Sequence, residues 1–152
     1  MKINRNVQTV LIILALTVTG IFGTSQQASA KTKWSRYIPT TLRGNWKSKK
    51  GDLPDSSLQG QKGYMWVSLK KDYFSDINNS AGGNFFAQKK MYYHHKSGSN
   101  FYYVKGTAFK GLSRYTEFHK VGSKLQARLY GENDSGKYTK YSNPWSLWMY
   151  KK

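Results

Sequence analysis

Past residue 30 the hydrophobic positions of this chain recur every second residue, in short runs broken by Gly, Asn, Ser and Pro. Residues 64–70 show the pattern. Tyr64, Trp66 and Ser68 fall on one face of an extended segment, and Met65, Val67 and Leu69 on the other. A period of two predicts a strand with one face in a core. Residues 44–50 predict the first strand of the domain. Residues 85–95 and 101–109 predict a hairpin joined at 96–100. Residues 115–121 and 124–130 predict a second, joined by Gly122-Ser123, with Gly first as a type II′ turn requires. Residues 137–141 and 145–150 predict the last strands, separated by Asn143-Pro144. Residues 72–77 read equally as a short strand or one helical turn, while 52–57, 78–84 and 131–136 read as loops, caps or turns. No segment sustains a helical stripe. Roughly eight short strands with frequent turns predict an all-β fold, a single small antiparallel barrel or sandwich.

Residues 1–30 follow a different rule. Lys2 and Arg5 charge the start, residues 10–22 form an apolar run interrupted only by Thr17, Thr19 and Gly20, and Ala28-Ser29-Ala30 supplies small residues where a signal peptidase reads. This predicts a signal peptide cut before Lys31, leaving 31–152 as one secreted domain. The run falls short of the ~20 residues that cross a bilayer. No Cys follows it, so no lipid anchor is expected. The chain has no Cys at all, so the disulfides that staple many small secreted domains are absent. One core must form by packing, which a domain of this length can achieve. Export without cysteine predicts a Gram-positive extracellular protein, free or loosely associated with the cell wall.

Composition adds two features. Aliphatic residues are sparse after the leader, whereas all 5 Trp and all 12 Tyr lie there, so rings are expected to carry much of the burial. The chain has 25 Lys and Arg against 7 Asp and Glu; loss of Lys2 and Arg5 with the leader leaves a net charge of +16. Such a surface favours polyanions. Nearly all of the charge is Lys. The only Arg residues past the leader are Arg36, Arg43, Arg114 and Arg128. Lys is a mobile point charge, suited to diffuse attraction to a phosphate polymer rather than to base-edge readout, so no specific nucleic-acid partner is expected.

The string Pro39-Thr40-Thr41-Leu42-Arg43-Gly44-Asn45-Trp46 resembles the P-x-x-L-R-G-x-W opening of small secreted proteins of lactobacilli and related bacteria. Its Gly44-x-Trp46 also resembles, more distantly, the signature of lipocalin-like (calycin) domains. The resemblance implies an all-β, lipocalin-like extracellular domain with no assigned activity and no catalytic residues to carry over. Pro39, Leu42, Arg43, Gly44 and Trp46 are then architectural: Gly44 permits close backbone approach and Trp46 plugs one barrel end. Lipocalin-like barrels often set an Arg of the last strand against that Trp. Here the last strand has none, and Lys151, Arg128 or Arg43 must substitute.

Catalytic chemistry finds little support. The carboxylates are Asp52, Asp55, Asp72, Asp76, Glu117, Glu132 and Asp134, most of them in loops or turns. Glu117 and His119 share a strand face, but a cross-strand pair of Glu117 with Lys or Tyr is the simpler reading. His94 and His95 are adjacent on a strand and point to opposite faces, so they cannot grip one metal ion. No cofactor or metal is expected. Two binding readings remain. In the first, Lys47, Lys49, Lys50, Lys70, Lys71, Lys89, Lys90, Lys105, Lys110, Lys120, Lys124, Lys137 and Lys140 form a surface for teichoic acid or another anionic envelope polymer. In the second, Trp46, Trp66, Tyr93, Tyr103 and Trp148 line the inside of a barrel that carries a small apolar ligand.

Overall fold

The computed structural model describes residues 32–54, 58, 60–75, 77–81 and 87–152. The expected leader lies outside them, as do Asp55, Asp76, Phe85 and Phe86. The strands are β1 (Ser35–Arg36), β2 (Gly44–Ser48), β3 (Gly51–Asp52), β4 (Lys62–Gly63), β5 (Met65–Lys70), β6 (Tyr73–Phe74) and β7 (Asn78–Asn79). They continue with β8 (Gln88–His95), β9 (Phe101–Phe109), β10 (Leu112–Val121), β11 (Lys124–Asp134), β12 (Lys137–Lys140) and β13 (Met149–Lys151).

Eight of these close an antiparallel barrel. The circuit β2-β5-β6-β8-β9-β10-β11-β13 runs in chain order, and β13 pairs back onto β2 with Met149 opposite Ser48, Tyr150 opposite Lys47 and Lys151 opposite Trp46. This is an up-and-down meander, and closure leaves the barrel without a free edge. β1 adds to β8, β7 to β5 and β12 to β11, while β3 and β4 form a separate ribbon.

Local sequence sets this path. Three two-residue turns force neighbouring strands antiparallel: Lys110-Gly111, Gly122-Ser123 and Ser135-Gly136. Gly122 has φ 55°, as expected of the first residue of a type II′ turn. Ser135 and Gly136 both have positive φ, 51° and 95°, the type I′ signature. β11 therefore continues to Asp134, and the turn expected over 131–136 contracts to its last two residues. The ambiguous 72–77 segment yields the short strand β6 and no helix among its described residues. The expected strand 145–150 is regular only from Met149, because Asn143-Pro144 cannot continue a ladder. Ser146 still ties this segment to β11: its N–H donates to the Ala127 carbonyl at 2.8 Å and its hydroxyl accepts from the Ala127 N–H at 2.9 Å.

The lumen holds the core. Ile38, Leu42, Trp46, Val67, Leu69, Phe74, Met91, Val104, Phe118, Leu125, Ala127 and Met149 are all buried and form one cluster. Phe74 and Phe118 meet edge to face, with ring centroids 5.4 Å apart. Gly106 lies against this packing. A Cβ there would stand 2.8 Å from Met91 Cε and 3.0 Å from Gln88 Cβ, so the missing side chain makes room for Met91. Rings share the burial with Met and aliphatic side chains, and Tyr93 and Tyr102 pack against the margin of the cluster. Among the described residues only Trp46, Phe74 and Phe118 are fully buried aromatics, and Met65, Met91 and Met149 fill space alongside the aliphatics. Unbranched Met adapts to an irregular lumen better than a rigid ring.

The opening motif caps one end of this core. Leu42 N–H donates to the Pro39 carbonyl at 3.0 Å and Arg43 N–H to the Thr40 carbonyl at 3.2 Å, winding a turn whose Ile38 and Leu42 side chains are wholly buried. Arg43 Nε donates to the Ile38 carbonyl at 2.8 Å. Trp46 Nε1 donates to the Leu42 carbonyl at 2.8 Å. Of the three basic residues weighed against Trp46, Lys151 is the one held over its ring, with Nζ 6.0 Å from the centroid.

Candidate functional site

Strand alternation divides the polar chemistry cleanly. Trp46 pairs with Val67 on the core face, so their neighbours Lys47 and Trp66, also paired, point outward. The same logic sends Tyr150 outward beside buried Met149, and Lys124 beside buried Leu125. Register then aligns one row across four strands: Lys124 opposite Tyr150, Tyr150 opposite Lys47, Lys47 opposite Trp66. Cations and rings alternate along it. Lys49 and Lys124 place Nζ 5.9 and 6.0 Å from the Tyr150 centroid, and Lys47 places its Nζ 4.6 Å from that of Tyr64. Exposed cation–π contacts of this kind are individually weak, about 0.5–1 kcal/mol, but they hold long Lys side chains in place.

The carboxylates are engaged elsewhere, by Arg. Arg36 reaches both oxygens of Asp72, at 2.6 and 2.9 Å. Arg114 Nε reaches Glu132 at 2.5 Å, and Arg128 holds Glu117 through Nε at 2.7 Å and Nη2 at 2.6 Å. Among the described residues no Lys is ion-paired to a carboxylate. The Arg36 hydrogen bonds, together with the Met91 N–H donated at 2.6 Å, hold the Asp72 carboxyl below its ordinary pKa against a partial desolvation that opposes them.

A second outward face, on β8 to β11, is aromatic. Trp34, His94, Tyr103, Tyr130 and Tyr115 form a closed circuit of ring contacts with centroids 5.8–6.3 Å apart. Lys105 lies beneath it, with Nζ 4.5 Å from the Trp34 ring. Burial, reinforced by neighbouring tyrosines and Glu117, raises the Tyr130 hydroxyl pKa far above its ordinary value. Further along this face His119 stacks on Phe101 at 4.5 Å and touches Trp145 and Trp148.

The structure thus redistributes the expected site residues. Of the thirteen lysines, Lys47, Lys49 and Lys124 come together around Tyr150. Lys120 turns back to the Gly122 carbonyl at 2.6 Å, Lys71 lies over Tyr37 and Lys70 over Tyr73. Lys50, Lys89, Lys90, Lys110, Lys137 and Lys140 are exposed at other points of the barrel. Lys90 occupies a β-bulge with φ 54°. The five rings expected around one internal space are not brought together. Trp46 and Tyr93 pack with the core, but Trp66, Tyr103 and Trp148 are on the outer wall, because each sits one residue out of phase with a buried neighbour. Glu117 makes a cross-strand pair, but its ion-pair partner is Arg128 rather than the expected Lys; Tyr103, of the expected alternative type, lies beside it. His94 and His95 lie on opposite faces, stacked on Tyr103 and Tyr102 respectively. Sequence reasoning missed Asn45, Ser68 and Lys152, which flank Lys47 and Trp66. Alternation could have placed the first two on the polar face; only the pairing register brings them side by side.

By fold, the chain is an eight-stranded up-and-down antiparallel β-barrel. Comparison with known protein families, curated proteins and solved structures finds no match for it.

Proposed function

We propose that this protein is a non-catalytic, exported binding domain that holds anionic cell-envelope polymers of the teichoic acid type on the outer wall of its barrel. The observation that supports this most directly is the row Lys124–Tyr150–Lys47–Trp66, in which the lysines carry no carboxylate partner among the described residues. Every second strand of the row offers an ammonium, a spacing of roughly 10 Å for antiparallel neighbours. A flexible phosphate polymer can bend to meet such points, and Lys needs no fixed donor geometry from it. The row itself contains no Asp or Glu, which favours capture over catalysis.

The test is binding to purified teichoic acid as salt rises from about 0.1 to 1 M, which shortens the reach of exposed charge from ~10 to ~3 Å. Binding should fall steeply, and the double charge reversal Lys47→Glu, Lys124→Glu should lower it more than a pair of reversals at Lys110 and Lys137. Binding that ignores salt, or responds equally to both double variants, would reject this face.

A further inference from the structure

Of the 12 tyrosines, four are exposed among the described residues: Tyr37, Tyr64 and Tyr92 at 37–39 %, and Tyr138 at 48 %. The first three each lie under a cation. Arg36 and Lys71 stand 4.7 and 4.6 Å from the Tyr37 centroid, Lys47 stands 4.6 Å from that of Tyr64, and Arg36 and Lys105 stand 5.0 and 5.5 Å from that of Tyr92. Among the described residues no Lys or Arg lies over the Tyr138 ring. Its neighbours are uncharged. A Cβ on Gly131 would stand 2.7 Å from Tyr138 Cζ, so the missing side chain seats the phenol, and Tyr115 meets the ring edge to face at 5.4 Å.

This difference bears on oxidation. Withdrawing an electron from a phenol puts positive charge on the ring, and a cation held over the face opposes that charge. Tyr37, Tyr64 and Tyr92 are protected in this way, and Tyr138 is not. The residues that oxidise most readily are also withdrawn. The chain has no Cys, and Met65, Met91 and Met149 are buried. Partial burial and the Tyr115 phenol raise the Tyr138 pKa, so at neutral pH its proton must leave with the electron, and an exposed residue has water to take it. β12 lies off the closed circuit of the barrel with all of its residues exposed, so Tyr138 is open to a second chain.

We propose that Tyr138 is a site of oxidative phenol coupling, where two copies of this chain are joined by a dityrosine bond when hydrogen peroxide and a haem peroxidase supply the oxidant. Each Tyr138 gives one electron to the peroxidase and one proton to water. The two phenoxyl radicals join by a carbon–carbon bond between ring carbons ortho to the oxygens, and the hydrogens on those carbons pass to the oxygens to restore both phenols. One peroxide takes up the two electrons and two protons and leaves as two waters. The bond gives a covalent tie to a chain that has no Cys for a disulfide. It is independent of polyanion binding.

The purified protein is treated with hydrogen peroxide and a plant haem peroxidase in about 1 M salt, where screening to roughly 3 Å removes the repulsion between two basic chains. A denaturing gel and dityrosine fluorescence read the dimer, and mass spectrometry of its peptides locates the link. Wild-type dimer should be joined chiefly at Tyr138, a result that needs no variant. Tyr138→Phe, which keeps the ring, should remove most of the dimer, whereas Tyr64→Phe should leave its yield unchanged. Lys47→Ala uncovers Tyr64 and should bring new links there. Absence of dityrosine, links spread evenly over the four exposed tyrosines, wild-type yield in Tyr138→Phe, or no gain at Tyr64 in Lys47→Ala would each overturn the proposal.

Discussion

Replacement of Trp46 tests whether the G-x-W motif is architecture. The ring is 2 % exposed and packs in the lumen cluster, and its Nε1 satisfies the buried Leu42 carbonyl at 2.8 Å. A Trp side chain buries ~150–250 Å², which at ~25 cal/mol per Å² corresponds to about 4–6 kcal/mol of transfer free energy. Ala recovers a small part of this, and the wall cannot fully collapse around a closed barrel, so Trp46→Ala should cost about 3–5 kcal/mol from packing. The orphaned Leu42 carbonyl adds about 1–3 kcal/mol. Trp46→Phe isolates that second quantity, because a ring remains and the donor goes. Urea unfolding followed by far-UV circular dichroism reads both. With m near 2 kcal/mol/M, Trp46→Ala should lower the midpoint by about 2 M or more and Trp46→Phe by about 1 M. An unfolded Trp46→Ala leaves Trp46→Phe to carry the measurement. A midpoint for Trp46→Phe equal to that of the wild type, at unchanged m, would show that the indole hydrogen bond does not hold the motif turn. A Trp46→Ala loss below about 1 kcal/mol would refute the plug itself.

Three further expectations follow from the geometry. Asp72 has its folded pKa lowered by Arg36, so its contribution to stability is complete above the unfolded carboxyl value near ~3.9 and is lost as pH falls through the lower folded value; acid unfolding of Asp72→Asn should show a shallower slope below about pH 4. Gly44 has φ 138°, and the nearest atom to a Cβ there is the flexible Lys151 Cε at 2.7 Å, so Gly44→Ala should cost about 1–3 kcal/mol through backbone strain and Lys151→Ala should not relieve it in thermal unfolding; relief would place the cost in crowding instead. The Gln88 amide and the Thr116 hydroxyl are fully buried without a hydrogen-bond partner among the described residues, so Thr116→Val and Gln88→Leu should each raise stability by about 1–2 kcal/mol, and a loss of that size in either would contradict the assignment.

Much of the barrel was legible in the chain because its information is local. Period-two burial over residues 64–70 and the Gly122-Ser123 turn each need only their own residues to be read. What escaped depends on distant partners. The sequence could not choose barrel or sandwich, since that rests on Met149–Lys151 finding Gly44–Ser48 across the whole domain. β1 was invisible because Ser35 and Arg36 have no strand signature of their own; they pair because the short β6 meets β8 only at Gln88 and Lys89 and leaves that side of Tyr92 and Tyr93 to them. The aromatic residues misled for a physical reason. Trp66, Tyr103 and Trp148 read by type as the lining of an internal ligand space, yet phase sends them outward. Lys47 was legible as a charge but not as a member of a row, because the row exists only in the register of four strands.

The two kinds of basic residue do different work in this fold. All four Arg among the described residues are bound within it: Arg36, Arg114 and Arg128 to carboxylates, Arg43 to the Ile38 carbonyl. Their planar forks match fixed acceptors, and Arg36 also stacks on Tyr37 and Tyr92. By taking up Asp72, Glu117 and Glu132 they engage three of the chain's seven carboxylates that could otherwise pair with Lys. Among the described residues the lysines have no carboxylate partner, and several are laid over Tyr or Trp rings that restrict them without quenching their charge. Exchange of Arg128 for Lys would therefore not be conservative. Lys at 128 could not reproduce the two contacts to Glu117 and the stacking on Trp145 at 4.5 Å, and a less firmly held carboxylate would remain on the aromatic wall. A net positive charge alone does not require such an arrangement; the pairing of acids with Arg rather than Lys is what leaves Lys47 and Lys124 without a carboxylate partner among the described residues.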